Sequence, residues 1–154
     1  MSKKSAGLLL YRKRDHSLLF FLVHPGGPFW KNKDRGAWSI PKGEFTGEED
    51  PLAAAKREFE EETGLKSPEK FLPLTPVKQK SGKLIFAWAA HATIEPEHIQ
   101  SNFFELEWPP HSGKKQLFPE IDKADWFEFK TAKEKIIPGQ LPFLEELARL
   151  LHKE

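Results

Sequence analysis

The chain has 154 residues, 38% apolar and 12% aromatic, enough to bury one core, so a single domain over residues 1–154 is expected. Its 24 basic and 23 acidic residues leave a formal net charge of +1, which creates no long-range field toward DNA, RNA or an anionic membrane and favours a small ligand. The absence of cysteine excludes disulfides, thiolate zinc sites and thiol nucleophiles.

The start, MSKKSAGLLLYRKR, is too charged for a signal peptide, and no run approaches the roughly 18 apolar residues of a membrane span, so a cytoplasmic protein is expected. Apolar runs of strand character at Ala6 to Tyr11 and Leu18 to His24, joined by the polar Arg12 to Ser17, predict a hairpin. From His24 to Gly36 the chain reads HPGGPFWKNKDRG, too rich in proline and glycine for regular structure, and loops of this kind often line a site. A short strand is expected at Ala37 to Ile40. A helix should follow from about Asp50, with Asp50 as N-cap, Pro51 as first helical residue and Gly64 as terminator. Strands are expected at Lys70 to Lys80 and Leu84 to Ile94, joined across Ser81, Gly82 and Lys83, and again at Phe103 to Trp108 and Trp126 to Phe129. The last 25 or so residues return to helix, with Leu141, Leu144, Leu147, Ala148 and Leu151 on one face of Gln140 to His152. Strands on both sides of a central helix imply an α/β fold, a mixed sheet between helical layers.

The central helix breaks a local rule. Glu58, Glu61 and Glu62 stand at i, i+3 and i+4 and share one face, beside an apolar face of Leu52, Ala55 and Phe59. They lie in the last two turns, where the helix dipole disfavours anions by a few tenths to about 1 kcal/mol each, and their mutual repulsion adds to that. One reading is a solvated charged face with Arg57 and Glu61 as an i,i+4 pair. The other is a cation between the carboxylates, since an all-oxygen donor set suits Mg²⁺ or Mn²⁺ and its octahedral shell leaves positions for water and phosphate.

Read from Gly43, the run GEFTGEEDPLAAAKREFEEETGL resembles the Nudix box, G-x5-E-x7-R-E-U-x-E-E-x-G-U with U a bulky apolar residue, at every position. Gly43, Glu49, Arg57, Glu58, Glu61, Glu62 and Gly64 fill the seven fixed positions, and Phe59 and Leu65 the two apolar ones. Phe59 departs mildly, because an aliphatic residue is commoner there, and this touches packing rather than chemistry. The resemblance implies a Nudix-type α/β/α sandwich and a magnesium-dependent hydrolase that cuts a phosphoanhydride in a nucleoside diphosphate linked to another group. It implies Glu58, Glu61 and Glu62 as ligands of Mg²⁺ (Mn²⁺ as a substitute), with the main-chain carbonyl near Gly43 as a further ligand. Glu49 and Arg57 correspond to a supporting pair that holds the loop against the helix and orients a catalytic glutamate. The family takes its general base from the box helix or from a later loop, so Glu61 and Glu120 are the candidates here; Glu120 could equally bind metal or be a solvated loop residue.

Outside the box, Lys42 is placed either to meet a substrate phosphate or to be a plain surface lysine. Phe29 and Trp30, in the irregular loop, could stack on a base, as could Trp38, for which core packing is the competing reading. Glu105 and Glu107 alternate with apolar residues and read as outward strand positions. The SGKK run at Ser112 to Lys115 lacks the spacing of a Walker loop, and no G-x-S-x-G, H-E-x-x-H or G-x-G-x-x-G is present. The six histidines show no zinc-ligand spacing and read as surface or satisfied core residues.

Two other functions stay open: a nucleotide-sensing module that keeps the fold without cutting, and an RNA 5′-end pyrophosphohydrolase, for which near-neutral charge leaves little footprint. The substrate reading leans to a dinucleoside polyphosphate of the diadenosine tetraphosphate type or a nucleoside triphosphate, because lysines 42, 78, 80, 83, 114 and 115 could answer a long phosphate chain. Against it, dinucleoside polyphosphate hydrolases often carry a tyrosine after the box, and here the only tyrosine is Tyr11. A monomer or homodimer is expected.

Overall fold

A computed structural model describes residues 3–152. The expected unit over 1–154 thus includes Met1, Ser2, Lys153 and Glu154, which lie outside the described residues.

The apolar run at the start forms β1 (Lys4–Arg14), which turns into β2 (Ser17–Pro25) as the expected antiparallel hairpin. β1 also pairs in parallel with β6 (Leu84–His91), and β2 pairs antiparallel with β9 (Ile121–Glu128), giving a mixed sheet. Short strands complete it: β3 (Lys42–Phe45) against the start of β1, and β4 (Leu72–Pro73) and β5 (Val77–Lys78) against β6.

Both faces of the sheet are covered, which is why its central strands are apolar at nearly every position. Ala6, Leu8 and Leu10 of β1 and Phe21 and Val23 of β2 point to one layer, where α1 (Pro51–Thr63) contributes Ala54, Ala55 and Phe59. Leu9, Phe20 and Leu22 point to the other, packed by Ala132 of α2 (Phe129–Lys135) and by Phe143, Leu144 and Leu147 of α3 (Leu141–His152). The result is the expected α/β/α sandwich. Among the described residues no helix is long and apolar enough to cross a membrane.

The caps of α1 follow the sequence reading. Asp50 accepts a hydrogen bond from Ala53 N at 3.0 Å, Pro51 opens the helix, and Gly64 closes it at φ 71° with its N–H on Glu60 O.

Three expectations are corrected, and one strand has no counterpart among them. Ala37 to Ile40 is not a strand, only isolated bridges of Trp38 to Ile136 and Ser39 to Val23. Its partners lie in different directions, and Ile40 N is taken by the Gln140 side chain at 3.0 Å instead of by a strand. Lys70 to Lys80 is not one strand: the chain leaves the pairing between Pro73 and Val77, where Pro76 lies, so only β4 and β5 pair there. The strand expected at Trp126 begins at Ile121 and ends at Glu128, with Phe129 opening α2. β8 (Lys115–Pro119) escapes the sequence pattern because it is short, shows no polar–apolar alternation and is exposed from Lys115 to Leu117; it is held by pairing with β7 (Phe103–Glu107) in a separate two-stranded ribbon.

Candidate functional site

The box folds around one arginine. Arg57 Nε and Nη2 donate to the two oxygens of Glu49 at 2.9 Å each, a bidentate pair that ties the loop before α1 to the helix. Its Nη1 donates to Glu58 at 2.6 Å and more loosely to Glu61 at 3.3 Å. Glu49 holds the guanidinium pKa above its ordinary value, and the same contact lowers that of the Glu49 carboxyl. Glu58 is pushed up by burial, despite the Arg57 hydrogen bond that opposes it.

Gly43, in β3, faces the Glu58 carboxylate so closely that a Cβ there would fall 1.5 Å from Oε1. The absent side chain is a cradle that Glu58 fills. One turn on, the Glu62 carboxylate accepts a hydrogen bond from Lys42 N at 3.0 Å. Burial, and then the charges of Glu120 and Glu58, raise its pKa to about 8. Glu61 is half exposed at the rim.

Glu62, Lys42, Glu120 and Trp30 line one cavity of about 210 Å³, together with residues of β2 and the segment before β3. Burial lowers the Lys42 pKa, with the nearby charge of Lys83 next in effect. Glu120 joins β8 to β9 and is held by its main chain, donating N–H to Asn102 O at 2.8 Å and accepting from Gly26 N at 2.9 Å. A larger open cleft of about 860 Å³, around Arg12, Arg14 and Trp126, contains none of the box acids, so its size does not make it the site. Among the described residues no three acidic or histidine side chains form a ready ligand shell, because Glu58 and Glu61 turn onto Arg57 and Glu62 onto the Lys42 main chain.

Other candidates separate by position. Phe29 is 58% exposed and meets Trp108 edge to face at 5.4 Å. Trp38 corrects the base-stacking expectation: it is 5% exposed, with its ring against His24 and Phe127 and its Nε1 on Asp34, so no face is open to a ligand. Glu105 pairs with Lys115 at 3.5 Å, and Glu107 caps the turn of the β7–β8 ribbon by accepting from His111 N and Gly113 N, so neither reaches the cavity. Gly64 serves only the helix end. The sequence offered no signal for Trp108 or for the buried His24, whose partners are fixed by strand register.

The folded chain holds the Glu62 proton more tightly than the unfolded chain, whose carboxyl titrates near its ordinary 4.5. The folded state therefore binds more protons between pH 4.5 and about 8, and the stability that Glu62 supplies falls as pH rises through that window. Metal-free protein is expected to melt at a higher temperature at pH 5.5 than at pH 8, and added Mn²⁺ should raise the melting temperature more at pH 8. Thermal melts with and without chelator test this; equal effects at both values would contradict the placement of Glu62.

A family profile described as NUDIX domain matches residues 1–147. The chain therefore belongs to the NUDIX family, whose hydrolases generally use divalent metal ions. Among solved structures it is similar to a Caenorhabditis elegans Ap4A hydrolase in a binary complex, with TM-score 0.67 and 23% identity over 99% of each chain. It is also similar to the NUDIX domain of Shewanella oneidensis NrtR complexed with ADP ribose, with TM-score 0.64 and 16% identity over 97% of this chain and 87% of that one. At these identities the likeness concerns the fold. In sequence it is 31% identical over 101 residues to an octanoyltransferase of Myxococcus xanthus, a match that covers 66% of this chain and 25% of that protein. The chain thus spans about a quarter of that relative's length, and the transferase name describes the longer protein.

Proposed function

We propose that the chain is one Nudix domain over 1–154 acting as a magnesium-dependent pyrophosphohydrolase, with a dinucleoside polyphosphate of the diadenosine tetraphosphate type or a nucleoside triphosphate as substrate. The observation that carries the reading is that Lys42, Glu62, Glu120 and Trp30 share one cavity beside the Glu58 cluster. A cation for phosphate, an aromatic wall for a base and an excess of carboxylates for metal are then adjacent.

The donors suit a hard divalent cation, being all oxygen, with the cradle at Gly43 holding Glu58 close to the strand and Glu62 partly buried near two other acids. Glu58, Glu61, Glu62, the carbonyl near Gly43 and Glu120 would hold it. Bound there, Mg²⁺ supplies neutralisation of phosphate oxygens and a lowered pKa for attacking water. Arg57, fixed by Glu49, keeps Glu58 and Glu61 in place. Lys42 meets the phosphate chain, and Lys83, whose charge acts on Lys42, is the next cation for a longer one. Trp30 offers a ring to the base, with Phe29 further out. Glu120, on the cavity wall opposite the box, takes the proton of the attacking water, while the half-exposed Glu61 serves the metal.

Incubation with Mg²⁺ and a panel of diadenosine tetraphosphate, nucleoside triphosphates, ADP-ribose and nucleotide sugars tests the reading. The first two classes should turn over fastest, and chelation should stop the reaction. Preference for ADP-ribose or a sugar nucleotide would move the substrate class, and no turnover of any would remove the activity. Lys42→Ala is expected to raise KM more than it lowers kcat, by roughly tenfold, the scale of one charge-assisted contact; an unchanged KM would take Lys42 out of phosphate binding.

A further inference from the structure

His24 is fully buried at the end of β2, and both of its ring nitrogens are engaged. Nε2 lies 2.6 Å from the carbonyl of Lys33, and because a carbonyl only accepts, Nε2 carries the hydrogen of that bond. Nδ1 lies 2.7 Å from Oδ1 of Asp122 on β9, a contact made by a hydrogen on either the ring or the carboxyl. Lys33 passes the connection on: its N–H donates to the Trp30 carbonyl at 3.0 Å, and its ammonium lies 5.3 Å from the centre of the Trp30 ring. An unbroken chain of contacts therefore runs from Asp122 through His24 and Lys33 to Trp30. Asp122 itself does not line the cavity, but it stands two residues after Glu120, which does, so the chain ties the strand that starts beside Glu120 to the loop that carries Trp30.

We propose that His24 and Asp122 are positioning residues that fix the Trp30 wall of the cavity relative to Glu120, and so set how tightly the base of a nucleotide is held. This rests on the reading of the cavity as a nucleotide site. Residues 26–36 are a proline- and glycine-rich segment whose other hydrogen bonds to the rest of the fold hold its ends: Gly26 to Glu120, and Asp34 and Gly36 to α2. Without the imidazole the middle of the loop, where Trp30 sits, keeps its own turns and the edge-to-face contact of Phe29 with Trp108, and loses its hydrogen bond to the sheet.

The test compares Asp122→Ala with Asp122→Asn. Asp122 is partly exposed, so its replacement leaves the core intact. Alanine removes the partner of Nδ1 and lets the ring turn, whereas the asparagine amide donates to Nδ1 and keeps Nε2–H on Lys33. Asp122→Ala is expected to raise KM for the preferred nucleotide about tenfold, the scale of one base–aromatic stack, with kcat within about twofold of wild type, and Asp122→Asn to restore KM. Amide exchange should speed up across residues 30–36 in Asp122→Ala and return to the wild-type rate in Asp122→Asn. An unchanged KM, a KM rise that asparagine does not rescue, or unchanged exchange in Asp122→Ala would each overturn the positioning role. If wild type turns over no nucleotide, the reading of the site fails, and the exchange comparison still decides by itself whether the loop is anchored this way.

Discussion

Glu62→Gln is expected to lower turnover by about 10³-fold or more while leaving the metal-free protein as stable as wild type at pH 5.5 and more stable at pH 8. The two effects share one cause. Glu62 is partly buried near Glu58 and Glu120, and its carboxyl is raised to about 8 by burial first and by those neighbours' charges next. Glutamine keeps an oxygen for the Lys42 N–H and removes the charge that the surroundings resist. The same charge is what a divalent cation needs as ligand, and losing several kcal/mol of charge stabilisation at the phosphate corresponds to three powers of ten or more in rate. A melt series from pH 5 to 8, run beside steady-state kinetics at saturating Mg²⁺, separates the outcomes. Full activity in the variant would show that Glu62 holds no metal; lost activity with lost stability would show only a packing role.

Gly43→Ala is expected to cost about 10²-fold in kcat with little change in fold. The added methyl would sit 1.5 Å from Glu58 Oε1 and 2.1 Å from its Cδ, an overlap that the strand cannot relieve, so the carboxylate must leave its cradle and its bond to Arg57. Misplacement of a reacting group by about an ångström is enough for a loss of that size. Gly43 does not need a left-handed conformation, so alanine strains the side-chain packing and not the backbone. Unchanged kcat, with circular dichroism matching wild type, would detach Glu58 from the chemistry.

What could be read along the chain and what could not differ by the range of the interaction. The box spacing, the Asp50 cap, the Gly64 stop and the acidic face of α1 are local, each set within a turn or two of backbone, and all stand in the structure as the residues imply. The first hairpin and the terminal helix were legible for the same reason, since their apolar period is written in consecutive residues. Trp38 was not, because a tryptophan beside a loop is equally consistent with a core and with a ligand wall, and only the arrival of His24 and Phe127 from β2 and β9 packs its ring into the core. β8 was invisible because a short exposed strand without polar–apolar alternation is selected by its partner and not by its own pattern.

By itself, then, the amino-acid order determined the helix that carries the acids, the residues that cap it and the chemical type of the donors. Tertiary structure alone decided that Glu120 faces Glu62 across a cavity, that Gly43 is a cradle for Glu58, and that His24 joins β9 to the loop of Trp30. Those contacts depend on the register between strands and helices far apart in the chain, and register is fixed by the summed burial of both sheet faces rather than by any short run of residues.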